Sequence, residues 1–216
     1  MKILVVSATE AECDALRNRT NKPRLKKHKI DHLITGVGMI ATAYALSKKL
    51  SRGRYDLVIN TGIAGSFRKE IKIGDVVNVI SDCFADLGAE DGVKFLSVFE
   101  MGLHKKSDFP FRDGKLIPSL KKQNGLDELK KVNAVTVNTV HGSKKSIERV
   151  RIKFNPDIES MEGAAFYYVC MMEKIRCIQI RSISNFVERR NKKAWNIPLA
   201  LKNLSDAVVK ILEIIE

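Results

Sequence analysis

Short aliphatic runs alternate along this chain with longer segments whose apolar positions recur at helical spacing. Lys2–Ser7 is rich in Ile, Leu and Val and alternates little, as a strand buried on both faces should. Residues 30–35, 55–60, 76–81 and 132–140 also read as strands. Ala8-Thr9-Glu10-Ala11-Glu12 opens a helix to about residue 17, with Thr9 as its cap and acids in the first turn. Further helices are expected from Gly36 to about residue 50, over the basic residues 143–153, and over 198–214, where Pro198 suits a first turn. Residues 163–180 read as a buried helix followed by a buried strand. Residues 18–29 suggest a loop or an exposed hairpin arm. Residues 84–126 mix Gly, Pro, Asp and Lys with aromatics, which suggests an irregular excursion partly covering a site. Strand–helix alternation without an internal repeat predicts one α/β domain over residues 1–216, with a largely parallel sheet.

Composition narrows the function classes. With 44% hydrophobic residues in 216, the chain can bury an ordinary core. No apolar run reaches the ~18–20 residues that span a bilayer. The first eight residues read as a strand and not as a signal segment, so no membrane role is expected and the expected location is the cytoplasm. The four cysteines contain no C-x-x-C pair and the four histidines no ligand spacing. No metal and no cofactor are therefore expected. The net charge of +13 is spread along the chain, and the few aromatics are not interleaved with it. That distribution argues against nucleic acid and for a solvated surface that steers an anionic small substrate.

The candidate chemistry sits in two polar islands that bound residues 158–188. Met161 and Glu162 fall at the head of the buried helix, and Asn185 at the end of the buried strand. In open α/β sheets such positions border the ligand crevice. An acid and an amide offered together suit a ligand with hydroxyls and a heterocycle. Glu12 faces the same edge, although a lone helix-start glutamate is ordinarily a dipole partner. Gly36-Val37-Gly38-Met39-Ile40-Ala41 matches the dinucleotide pattern G-x-G-x-x-A, but it follows the second strand, and no acid ends a strand about 20 residues later. A tight turn with amides facing a ligand fits better than NAD binding. Thr61-Gly62-Ile63-Ala64-Gly65-Ser66 offers amides without a basic residue, which favours a neutral group or water over phosphate. Val37, Ala64 and Gly65 are accordingly candidate substrate contacts.

Taken in order, Ala8-x-x-x-Glu12, Thr35-Gly-Val-Gly38, Val58-Ile-Asn-Thr-Gly-x-Ala-Gly65, Ile73-Gly-Asp-Val76, Ser160-Met-Glu-Gly-Ala164 and Arg181-Ser-Ile-Ser-Asn185 resemble the nucleoside phosphorylase/nucleosidase superfamily. The methylthioadenosine/S-adenosylhomocysteine nucleosidases are a near branch. The resemblance implies a three-layer α/β/α domain around a mixed, largely parallel sheet, in homodimers or higher homo-oligomers, that cleaves the N-glycosidic bond of a purine nucleoside. It implies that Glu12 activates water, that Met161 packs under ribose, and that Glu162 accepts from the sugar hydroxyls. Hexameric phosphorylases carry an arginine where this chain has Asn60 and a hydroxyl near Ile63, so hydrolysis is implied over phosphorolysis. Adenine-specific members carry an aspartate where this chain has Asn185. An amide donates without acting as an acid, which favours a 6-oxopurine. Glu188 could then accept from its N1–H, and Phe186 or Phe154 could stack in place of the family's aromatic. Ser184-Asn185-Phe186-Val187-Glu188 with Arg190-Asn191 and Trp195 resembles the futalosine hydrolases of menaquinone biosynthesis, whose nucleoside carries an anionic 5′ extension.

Overall fold

The computed structural model describes residues 1–20, 25–119 and 125–215. Strands β1 (Lys2–Ser7), β2 (Lys29–Ile34), β3 (Leu57–Ser66), β4 (Val76–Ser81), β9 (Lys130–Thr136), β10 (Ile158–Ser160) and β11 (Cys177–Phe186) form a mixed seven-stranded sheet in the order β10-β9-β4-β11-β3-β1-β2. Between them run helices α1 (Glu10–Thr20), α2 (Met39–Leu50), α3 (Lys144–Phe154), α4 (Gly163–Met172) and α5 (Ile197–Ile214). Alternation along β1 divides the core. Leu4 and Val6 join Leu46 of α2 and Phe166 of α4, whereas Ile3 and Val5 join Leu16 of α1 with Leu204 and Val208 of α5. Two strand faces, each loaded with aliphatic side chains, explain why these segments carry so few polar residues. No helix among the described residues is long and apolar enough to cross a membrane.

Three features depart from expectation. First, β3 does not stop at Asn60 but continues through the glycines to Ser66. It keeps pairing because β11 follows it in parallel to Ser66 and β10 meets Gly65 and Ser66 antiparallel. Position 62 of the strand is a glycine because a Cβ there would lie 2.2 Å from Arg181 Nη1. Second, the short strand β10 pairs with both β9 and β3, closing β10, β9, β4, β11 and β3 into a ring of strands.

Third, residues 84–126 contain two hairpins, β5 (Gly88–Asp91) with β6 (Lys94–Ser97) and β7 (Phe111–Arg112) with β8 (Lys115–Leu116). Edge-on contacts of Phe111 with Phe84, Phe99 and His104 hold this excursion together, and Phe111 and Leu116 anchor it in the core beside α4. A run of mixed composition can fold this way because hairpins need only local pairing. Of the loop expected over 18–29, residues 18–20 instead finish α1, and residues 21–24 lie outside the described set. Residues 120–124 do also. All four cysteines are buried and free.

Candidate active site

A cavity of about 490 Å³ opens where β1, β3 and β11 end and where β10 passes into α4. Its wall includes Glu12, Val37, Ala64, Gly65, Met161, Glu162 and Asn185. Seven of the ten residues singled out from the sequence therefore share one cavity. Phe186 and Glu188 line a smaller cavity of about 60 Å³ whose wall also takes in Gly65, Glu159 and Asn185, whereas Phe154 borders neither and packs near Phe95.

Glu12 is set by the start of α1. Thr9 Oγ1 accepts from the Glu12 amide at 3.3 Å, and Glu12 Oε2 accepts from the Thr9 amide at 3.0 Å. This reciprocal pair is a capping box. The Ala8 amide and the Thr9 hydroxyl also donate to Oε2, both at 3.1 Å. Oε1 reaches across to β3 and accepts from the Ile63 amide at 3.1 Å. One side chain thus caps a helix and ties it to a neighbouring strand, with little rotamer freedom left.

Glu162 stands at the head of α4. Its Oε1 accepts from the Gly38 amide at 3.1 Å, and its Oε2 lies 3.7 Å from Arg181 Nη1. Burial pushes its carboxyl above the usual range, while the Arg181 charge and the Gly38 amide oppose that rise. Gly38 holds φ +93°, a left-handed conformation that favours glycine.

Behind this pair runs a buried polar chain. Arg181 is 1% exposed; its Nε donates to Gln179 Oε1 at 3.0 Å and its Nη2 to Asn60 Oδ1. Gln179 Nε2 donates to Asp82 Oδ2 at 3.1 Å. Asp82 Oδ1 accepts from Thr136 Oγ1 at 2.9 Å and from the Cys83 amide at 2.8 Å. Thr136 Oγ1 in turn accepts from the Ala164 amide at 2.8 Å, so the chain ends on the first turn of α4. Complete burial raises the Asp82 carboxyl to about 6 against these hydrogen bonds. Gly163 must lack a side chain here, since a Cβ would lie 2.2 Å from both Asp82 and Gln179 oxygens.

Asn185 follows a bulge in the pairing of β11 with β3. Ser184 Oγ donates to its Oδ1 at 2.7 Å, and its Nδ2 donates to the Phe186 carbonyl at 2.9 Å. One amide hydrogen remains for a ligand. Glu159, on β10, accepts from the His141 amide at 3.0 Å and contacts His141 Nδ1. Arg190 lies over the Trp195 ring, 5.4 Å from its centroid, and both border the main cavity.

Arg181, Gln179, Asp82, Glu159 and the role of His141 were not anticipated. Their one sequence signal is polarity inside apolar strand segments, as in Cys-Ile-Gln-Ile-Arg at 177–181. Isolated polar residues within such a run need buried partners.

The model of the phosphorylase superfamily matches residues 2–215. The futalosine hydrolase of Streptomyces coelicolor is 30% identical, covering 100% of this chain and 97% of its own. The 5′-methylthioadenosine/S-adenosylhomocysteine nucleosidase of Aeromonas salmonicida is 28% identical, covering 98% and 99%. Among solved structures, native futalosine hydrolase of Helicobacter pylori superposes with a TM-score of 0.80 at 16% identity, covering 98% of this chain and 97% of that one. With the family model matching nearly end to end, the chain belongs to the phosphorylase superfamily.

Proposed function

We propose that this protein is an N-glycosyl hydrolase acting on futalosine, releasing hypoxanthine and dehypoxanthine futalosine. Glu12 draws a proton from the attacking water. Met161 packs against ribose, and Glu162 accepts from its hydroxyls and stabilises the positive charge that develops on the sugar. Val37, Ala64 and Gly65 complete the wall around the substrate. Phe186 stacks on the base, and Glu188 accepts from its N1–H. The anionic 5′ extension is drawn in by the basic surface. The reading extends to a single three-layer α/β/α domain around a largely parallel sheet, working as a homo-oligomer in the cytoplasm.

The observation that carries the choice of base is the bonding of Asn185. Its Nδ2 gives one hydrogen to the Phe186 carbonyl and keeps the second for a ligand, while Ser184 Oγ donates to its oxygen and so holds the N–H side toward the cavity. Hypoxanthine presents an acceptor at position 6, whereas adenine presents a donor. Incubation with futalosine in phosphate-free buffer should release hypoxanthine. No release, or release that depends on phosphate, would overturn the reading. Faster adenine release from methylthioadenosine would move the protein to the neighbouring nucleosidases.

A further inference from the structure

Departure of a purine from C1′ leaves negative charge on the ring, and an amide such as Asn185 cannot hand over a proton. Glu12 and Glu162 are engaged elsewhere, with the Ala8, Thr9 and Ile63 amides and with Gly38 and Arg181. Glu188, in the smaller cavity, is assigned above as an acceptor for N1–H, which leaves His141 and Glu159 beside Asn185 and Phe186. Both Glu159 oxygens face the same residue, one taking the His141 amide and the other His141 Nδ1. That grip fixes the ring. Glu159 is itself 4% exposed and held on both sides, opposite Gly65 of β3 and Val135 of β9. No described residue hydrogen-bonds His141 Nε2. With Nδ1 turned to a carboxylate, Nε2 is the nitrogen from which an imidazolium can release a proton.

We propose that His141, oriented by Glu159, is the general acid that protonates the departing purine. The proposal rests on the hydrolytic reading above. As the C1′–N9 bond breaks, its electron pair stays with the purine. The Nε2–H bond of the imidazolium breaks and a new bond to hydrogen forms at the N7/O6 edge of the base. The attacking water bonds to C1′ and passes its proton to Glu12. Solvent then reprotonates His141 and deprotonates Glu12, so one water is consumed and no net proton. His141 is the catalytic residue; Glu159 is a positioning residue.

The test compares futalosine with two nucleosides whose leaving groups need no proton, the 7-methylated analogue of futalosine and 4-nitrophenyl riboside. For His141→Gln, turnover of futalosine should fall about 100-fold, with a loss on the activated substrates smaller by about tenfold or more. Glu159→Gln should show the same selectivity to a lesser degree. Thermal melting checks that each variant is folded, and His141→Asn replaces any that is not. Equal losses on all three substrates would overturn the proposal, as would a wild type inert toward both activated substrates. A wild type that releases no hypoxanthine from futalosine itself would defeat the hydrolytic reading, and this inference with it.

Discussion

Arg181 Nη1 stands 3.7 Å from Glu162 Oε2, with both side chains almost out of solvent. The guanidinium opposes the burial that raises the Glu162 carboxyl. Arg181→Gln removes that opposition, so the folded-state pKa of Glu162 should climb further. If ionised Glu162 is required on the sugar, the acid limb of kcat/KM moves to higher pH. An unmoved limb would separate Glu162 from the chemistry. Because one charge is left buried without its partner, the variant should also be less stable by about 3–5 kcal/mol.

Glu12→Gln should lower kcat by about 100-fold or more while nucleoside binding survives. With its carbonyl oxygen turned to the Ala8 and Thr9 donors, glutamine must point its NH2 at the Ile63 amide, which it cannot accept from. A loss of about 1–2 kcal/mol in stability should therefore accompany the kinetic effect. Equilibrium binding and denaturant titration on the same preparation measure the two separately. Retained turnover would remove Glu12 from the mechanism.

At Gly62, one methyl group should act on two site residues together. A Cβ would sit 2.2 Å from Arg181 Nη1 and 2.9 Å from Glu12 Oε1. Gly62→Ala is expected to cost about 1–3 kcal/mol through overpacking and to depress kcat by displacing both groups. Wild-type kinetics in this variant would mean that the polar chain tolerates displacement.

Asn185→Asp should impair 6-oxopurine nucleosides more than 6-amino ones. A carboxylate set there would repel a carbonyl oxygen and accept from an amino group. Specific activities on inosine-type and adenosine-type substrates give the ratio. An equal loss on both would contradict the role assigned to Asn185.

Asp82 makes a prediction about stability and pH. Its carboxyl is raised from 3.8 to about 6 by burial. Between those values the folded state holds a proton that the unfolded chain has lost, so stability falls as pH rises through the interval. The fall attributable to this group is at most about 3 kcal/mol. Asp82→Asn should flatten the stability profile between pH 4 and 6, read by thermal melting. A profile as steep as wild type would place the titration elsewhere.

How much of this was legible in the sequence depended on the range over which each feature is decided. The residues of α5 announce themselves because one buried face imposes a helical period, and Lys2–Ser7 because burial on both faces leaves an unbroken aliphatic run. Glu12 and Glu162 were found as helix-start acids, which local spacing reveals. The partners of those acids were not, since Ile63, Gly38 and Arg181 come from distant parts of the chain. β10 escaped notice because three residues are too few to show a period, and its pairing depends on strands far away in sequence. The hairpins within residues 84–126 were missed for a related reason: their aromatics pack on one another and not along a regular face.

The ring of strands closed by β10 bears on how the two ends of the cavity are kept in step. Glu159 lies within β10, and Met161 and Glu162 follow it directly. One strand therefore carries the residue proposed to orient His141 and leads directly into those proposed to hold the sugar. Substitutions at Glu159 that shift the β10 backbone, unlike Glu159→Gln, are therefore expected to disturb Met161 and Glu162, two and three residues further on. Substrate variants that differ at either end are thus measured against a common ruler.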